Sequence, residues 1–399
     1  MNRNERLRLL VVAVGPRVTV GLICIFVAVG CAVPDGPRTS TDESATLSMQ
    51  PWRMVMIVFD RSPDASHLTA DIDELREARF TAGTTHRVVI RDSHITEGKI
   101  TFFEKRRART LTLPNLQGSD ITDPEDLATL LEAVATYFPA ENEALFLSGH
   151  GRDWRGFGYR TDAPDETLTA TTLAGAFTLR DTAPSSQVVV ADGSWTATSE
   201  WITGLATRDV HVVCAAGEIS EEGLDYRTLA DPGTPGTADA FARRIAAAVT
   251  TEGGEHGVHL APEHVRSLPV AVRAVSDAGI DHVESMQRQQ DLKAQLVDRA
   301  VTAGTPGMSW ISLGDLEEAL KLNRASEPAE QLDEPPSPLN QMLLYLTDVN
   351  EHGVPTGHRG DYATNAAPSQ LSSEFQTLHW APDYQQRRGF LYRLWYHRF

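Results

Sequence analysis

The chain has 399 residues, a formal net charge of −18 at pH 7 and three cysteines. So acidic a balance argues against nucleic acid or anionic lipid headgroups as partners and would favour basic ones. Two of the cysteines, Cys24 and Cys31, lie in the first 31 residues. Cys214 is then alone in the body, which has no internal disulfide and must rest on its core.

The N-terminus carries Arg3, Arg6, Arg8 and Arg17 ahead of an apolar run from Val18 to Gly30 that stops at Cys31. A basic start followed by an apolar stretch too short for a comfortable span reads as a secretory signal. The ending Ala28-Val29-Gly30-Cys31 resembles the lipobox of bacterial lipoproteins, with alanine where leucine is usual, and that resemblance makes Cys31 the lipidation site. An uncleaved anchor is the alternative, and either places the body outside the cytoplasm. Residues 32–50, rich in Pro, Ser, Thr and Asp, cannot bury a core and read as a flexible tether.

From Trp52 the pattern alternates. Trp52 to Phe59 is a continuous apolar run, as a strand buried on both faces requires. Leu68 to Phe80 has helical spacing, and Arg87 to Ile90 is the next strand. Lys99 to Leu113 reads as a hairpin whose basic run Lys105-Arg106-Arg107 protects an exposed edge. Asp120 to Asp126 opens a helix: Asp caps, Pro124 suits the first turn, and Glu125 and Asp126 complement the dipole. The strand Glu143 to Ser148 ends in Gly149-His150-Gly151. After a helix from Leu168 to Leu179, the strand Gln187 to Ala191 ends in Asp192-Gly193-Ser194. A helix to about Ala206 leads to the strand His211 to Ala215. Residues 51–231 therefore predict an α/β core with a mostly parallel sheet flanked by helices. Residues 232–399 read as a looser part of the same domain, with helices over 236–250, 262–278, 281–303 and 313–322. A Pro/Glu-rich linker covers 324–338, Met342 to Leu346 is a strand, and the aromatic C-terminus packs back on the body.

In a parallel sheet functional groups gather beyond the carboxyl ends of the strands. If the two strands that stop at glycine-flanked polar turns are neighbours, His150 as base faces the Ser194 hydroxyl across one cleft. The free N–H of Gly151 would serve an oxyanion.

Asp123-Pro-Glu-Asp-Leu, Tyr137-Phe138-Pro139-Ala140 and Ala144-Leu-Phe-Leu-Ser-Gly-His150-Gly151, with Trp154 beyond, resemble the run of the clostripain family of cysteine peptidases into its catalytic histidine. The resemblance covers about residues 50–230 and implies a caspase-like fold. The family's nucleophile turn reads Asp-Ala-Cys; here it is Asp192-Gly193-Ser194, with Glu200 in place of the family's glutamate. Asp192 would line the primary specificity pocket, as in relatives that cut after Arg or Lys. Its alternative role is turn capping. Relatives can require calcium, which enters only through the resemblance; the residues themselves call for no cofactor. Relatives also cleave themselves after the histidine, where Arg152, Arg155, Arg160 and Arg180 would be candidate cut points.

The departure falls on the nucleophile. A thiol beside a histidine forms thiolate at neutral pH, whereas a serine must lose its proton during attack. The leading expectation is an exported pseudopeptidase whose former cleft binds a basic or extended peptide, or a protein partner. The alternative is an active peptidase cleaving after Arg or Lys, with Ser194 as nucleophile and His150 as base. An α/β-hydrolase esterase is disfavoured, because G-x-S-x-G is absent and His150 precedes the serine. Cys214, mid-strand among Val212, Val213 and Ala215, reads as a core thiol. His256, His259 and His264 lack one-face helical spacing and read as a solvated loop, so no metal ligands are expected.

Overall fold

The computed structural model describes residues 48–61, 68–78, 84–104, 106–149, 151, 156–158, 167–215, 217, 219, 224–230, 236–249, 256–282, 301–302, 309–312, 316 and 342–347. The N-terminal apolar segment with Cys31, most of residues 32–50, His150, Lys105 and the aromatic C-terminus lie outside them.

The elements follow in chain order as β1 (Gln50–Val58), α1 (Leu68–Glu77), β2 (Thr85–Arg91), the single-turn α2 (Asp92–Ile95), β3 (Lys99–Glu104) and β4 (Arg107–Thr112). Then come α3 (Pro124–Tyr137), β5 (Ala140–Ser148), α4 (Ala170–Leu179), β6 (Ser186–Asp192), α5 (Ser199–Gly204) and β7 (Val210–Cys214). The remainder is α6 (Ala238–Ala248), β8 (Val258–Leu260), α7 (Pro262–His282), β9 (Val301–Thr302), β10 (Ser309–Ser312) and β11 (Leu343–Thr347).

Eight strands form one sheet in the order β4-β3-β2-β1-β5-β6-β7-β8. The central five, β2-β1-β5-β6-β7, are parallel, and the antiparallel pairs β2–β3, β3–β4 and β7–β8 lie toward the edges. The core is thus the mostly parallel α/β sheet that the apolar runs predict. Strand order reverses between β1 and β5, and ligands of open parallel sheets sit in the crevice at such a reversal.

Alternate residues of β1 feed two separate layers, because successive side chains in a strand point to opposite faces. Val55, Ile57 and Phe59 join one apolar cluster with Leu127, Leu131, Leu173, Trp201 and Val265, from α3, α4, α5 and α7. Trp52, Met54, Met56 and Val58 join the other with Leu75, Phe241 and Ile245, from α1 and α6. Leu316 and Met342 are fully buried in the first cluster, so parts of the looser C-terminal region pack on the same core.

Local chemistry starts the helices where the sequence reads. Asp123 accepts from the Glu125 and Asp126 amides at 2.9 and 3.1 Å, and Pro124 follows in the first turn of α3. The exposed edge strand β4 carries Arg107 and Arg109. The structure differs at one helix: 281–303 cannot be helical throughout, since Val301–Thr302 pairs with β10 as β9. Residues 313–322 lie largely outside the described set.

Toward the amino ends of β1, β5 and β6 is a buried ion network. The Glu143 carboxylate accepts from Arg53 Nε at 3.0 Å, Arg180 Nη1 at 2.7 Å and Gln187 Nε2 at 2.8 Å. Burial alone would raise this carboxyl's pKa, but the guanidiniums of Arg180 and Arg53 hold it down to about 2. Arg180 is therefore a corrected reading: locked inside against Glu143, it is no accessible cut point.

Candidate functional site

β5 and β6 are adjacent and parallel, with Ser148 opposite Asp192, so the turns that leave them emerge side by side. The Gly149 amide donates to the Asp192 carbonyl. A Cβ on Gly151 would stand 3.3 Å from the Ser194 carbonyl oxygen. One on Gly193 would stand 3.2 Å from the Gly151 nitrogen and 2.9 Å from Cε1 of Phe157. The glycines that bracket His150 thus lie against the Gly193–Ser194 turn. Residue 193 has no room for the alanine of the Asp-Ala-Cys pattern unless the Phe157 ring shifts. That ring is fully buried and stacks on Phe59 at 5.9 Å.

The serine turn is tied to the exit of β7. The Trp195 amide donates to the Gly217 carbonyl at 3.0 Å, and the Ala197 amide to Ala215 at 2.8 Å. Thr196 Oγ1 accepts the Ala215 amide at 3.0 Å and is 3.1 Å from the carbonyl oxygens of both Ala191 and Gly193. Ser194 is half-buried, and its Oγ accepts the Ile219 amide at 3.0 Å. Trp195 follows at φ 58°, a left-handed conformation that a bulky side chain adopts only when its surroundings enforce it.

Beneath the turn lies an acidic cluster that the sequence did not reveal. Asp192 is buried, and Tyr226 Oη donates to its Oδ2. Asp71 of α1 accepts from Ser148 Oγ at 3.0 Å, and Glu74, one turn on, accepts the Tyr226 amide at 3.2 Å. Burial first, and then the Asp71 charge, push the Asp192 carboxyl up to about 8, against the Tyr226 bond that favours ionisation. The fully buried Tyr226 hydroxyl is pushed well above its ordinary value, first by burial and then by the same two aspartates. Asp71 had a sequence signal, a carboxylate three residues after Leu68 on the helix face that Leu75 also buries. Tyr226 had none, since it lies in the loop between β7 and α6.

The cluster makes a stability prediction. Asp192 is ionised in the unfolded chain above about pH 4 but protonated in the folded one until about pH 8. The folded state therefore binds the extra proton over that window, and its stability falls as pH rises through it. Asp192→Asn should stabilise the protein at pH 7 by on the order of 2 kcal/mol and leave it little changed near pH 4. Urea denaturation at the two pH values measures this; an equal effect at both would refute it.

Of the other expected residues, Glu200 is fully buried in α5 and accepts from Ser199 Oγ at 3.1 Å. Cys214 is a buried free thiol whose pKa is pushed far up by burial, as a core thiol requires. His259 is a correction to the solvated-loop reading, for it lies in β8, while His264 lies in α7.

No family model matches the sequence, and no curated relative is found by sequence comparison. Solved structures do match. A secreted C11 cysteine protease from Bacteroides thetaiotaomicron, "iotapain", aligns with TM-score 0.52 at 14% identity over 68% of this chain and 80% of that one. A secreted C11 cysteine protease from Bacteroides thetaiotaomicron in complex with an irreversible peptide inhibitor aligns with TM-score 0.52 at 11% identity, over 83% and 99%. The fold is similar to that of the C11, clostripain-family cysteine proteases. Among the described residues no helix is long and apolar enough to cross a membrane.

Proposed function

We propose that this protein is an exported, lipid-anchored pseudopeptidase of clostripain-like fold, whose former active-site cleft binds a peptide or protein partner with basic side chains. One observation carries the reading. The group at the nucleophile position is a serine hydroxyl whose oxygen already accepts the Ile219 amide at 3.0 Å. That bond draws on the oxygen electrons that attack would need, and the oxygen still carries a proton a base must remove. The runner-up, a peptidase acting through Ser194 and His150, is favoured by the contact between the glycine turns and by Gly151, whose amide would face an oxyanion. Export is supported by the basic and apolar N-terminus ending at Cys31, and the B. thetaiotaomicron proteases of similar fold are secreted.

The acidic cluster supports the partner's chemistry. Asp192, Asp71 and Glu74 stand close enough for Asp192 to feel both of the other charges. A guanidinium or ammonium entering there would favour the ionised form of Asp192 and displace its proton. Binding of an Arg-terminated peptide to the wild type should therefore tighten as pH rises from 6 toward 8. Asp192→Asn should weaken it by at least about tenfold at pH 8 and flatten the pH dependence. Isothermal titration calorimetry at several pH values tests this, and equal affinities for wild type and Asp192→Asn would refute it. The anchor has its own test: the mature protein should begin at a lipid-bearing Cys31, and Cys31→Ala should remain as uncleaved precursor. A mature N-terminus elsewhere, without lipid by mass spectrometry, would remove that part of the proposal.

A further inference from the structure

Three groups outside the cleft converge at the β7–β8 end of the sheet. His211 lies at the start of β7, and His259 of β8 is paired with Val213. Residues 211 and 213 share a face, so the two imidazoles are diagonal neighbours on it. Helix α6 packs on that same face through Phe241, Ala242 and Ile245, which cluster with Val213. Its first turn brings Asp239 to the histidines. His211 Nδ1 and His259 Nε2 are 3.1 Å apart, and one ligand atom from each of His211, His259 and Asp239 lies within 4.8 Å of the other two. All three residues are half-buried, within reach of solvent.

We propose that His211, His259 and Asp239 form a binding site for a divalent transition ion of the zinc type. The nitrogen separation fits, since two imidazoles bound at 2.0–2.1 Å with tetrahedral angles have their nitrogens about 3.3 Å apart. One shared proton can also join the rings, and Asp239 would favour its charge, so proton and metal compete for the same three groups. A metal uses all three groups and leaves one position to water. Asp239 is now paired with Arg243, one turn along α6, at 2.8 Å. That pair is two-pronged, Arg243 Nη2 also donating to the other carboxylate oxygen at 3.2 Å, but it is open to water, so a metal at the histidines would have to displace it. Two imidazoles and a carboxylate favour zinc, nickel or copper over the oxygen-seeking calcium and magnesium. Burial works against positive charge at His211, while Asp239, Glu263 and Asp209 favour it and Arg243 opposes it.

The site is at the amino end of β7. The segment that seats Ser194 leaves the carboxyl end of the same strand. The metal therefore clips the edge strand β8 and helix α6 to β7, and its effect falls on stability rather than on chemistry in the cleft.

The test uses the full mature chain, stripped with a chelator and titrated with Zn2+ by calorimetry and thermal melting. Wild type should bind one equivalent and melt at a higher temperature, with no comparable effect of Ca2+ or Mg2+. Asp239→Asn and His259→Ala should each weaken binding by at least about tenfold. Arg243→Ala, which removes no ligand and frees the carboxylate, should tighten it. Co2+ should give the visible absorption bands of a four-coordinate site in wild type, a readout that needs no variant to fold. Absent cobalt bands, undiminished one-equivalent binding in a His211→Ala/His259→Ala double variant, or equal response to Ca2+ would each overturn the proposal.

Discussion

Replacing Glu143 by alanine should cost the fold about 3–5 kcal/mol, because two guanidiniums would be left buried without a counter-charge. Arg53 and Arg180 are 2% and 8% exposed, so neither can turn to water without opening the sheet's amino end. Arg53 also donates to the Phe138 carbonyl at 2.7 Å, so the loss would reach the end of α3. The same network sets an acid limit. The carboxyl is held down to about 2, whereas in the unfolded chain it titrates near its ordinary value. Its contribution is therefore complete above about pH 5 and is lost as pH falls through 4 toward 2. Equilibrium urea denaturation of wild type and Glu143→Ala at pH 7 measures the first effect, and wild type from pH 6 to 2 the second. A Glu143→Ala variant within 1 kcal/mol of wild type would show that the ion network is dispensable.

Ser194→Cys should bring cleavage after Arg or Lys to at least on the order of a hundredfold above wild type. The turn is already fixed by the bonds of Trp195, Thr196 and Ala197 to the β7 exit, and sulfur replaces oxygen without adding a heavy atom. A thiol also draws less strongly than a hydroxyl on the Ile219 amide, and beside a histidine it ionises at neutral pH. Alkylation should abolish the new activity cleanly, since Cys214 is buried and held as the thiol. A variant that folds, takes up the alkylating agent and still cuts no faster than wild type would place the defect in the cleft's shape, where Gly193 and Trp195 differ from the family pattern.

What could be read from the sequence was what is decided locally or by burial on both faces. Asp123-Pro124 announces α3 because capping acts within four residues, and the continuous apolar runs of β1, β5 and β6 are what central parallel strands require. The adjacency of β5 and β6 followed from topology rather than from either run alone, and the shared site depended on it. Pairing over long separations left no local mark. Glu143 stands at the head of an apolar run with no hint that Arg53 and Arg180, 90 and 37 residues away, would neutralise it. His211 and His259 lie 48 residues apart and Asp239 belongs to a helix between them, so nothing local marks their meeting. At residues 301–302 helical propensity lost to pairing with β10, since a ladder partner outweighs a weak local preference.

The most direct measurement of the central claim is hydrolysis of Arg- and Lys-containing peptides by purified mature wild-type protein, beside Ser194→Ala and His150→Ala. The account predicts no turnover by wild type above that of either variant, while an Arg-terminated peptide still binds. Wild-type turnover that both Ser194→Ala and His150→Ala abolish would identify a working serine peptidase and contradict the account.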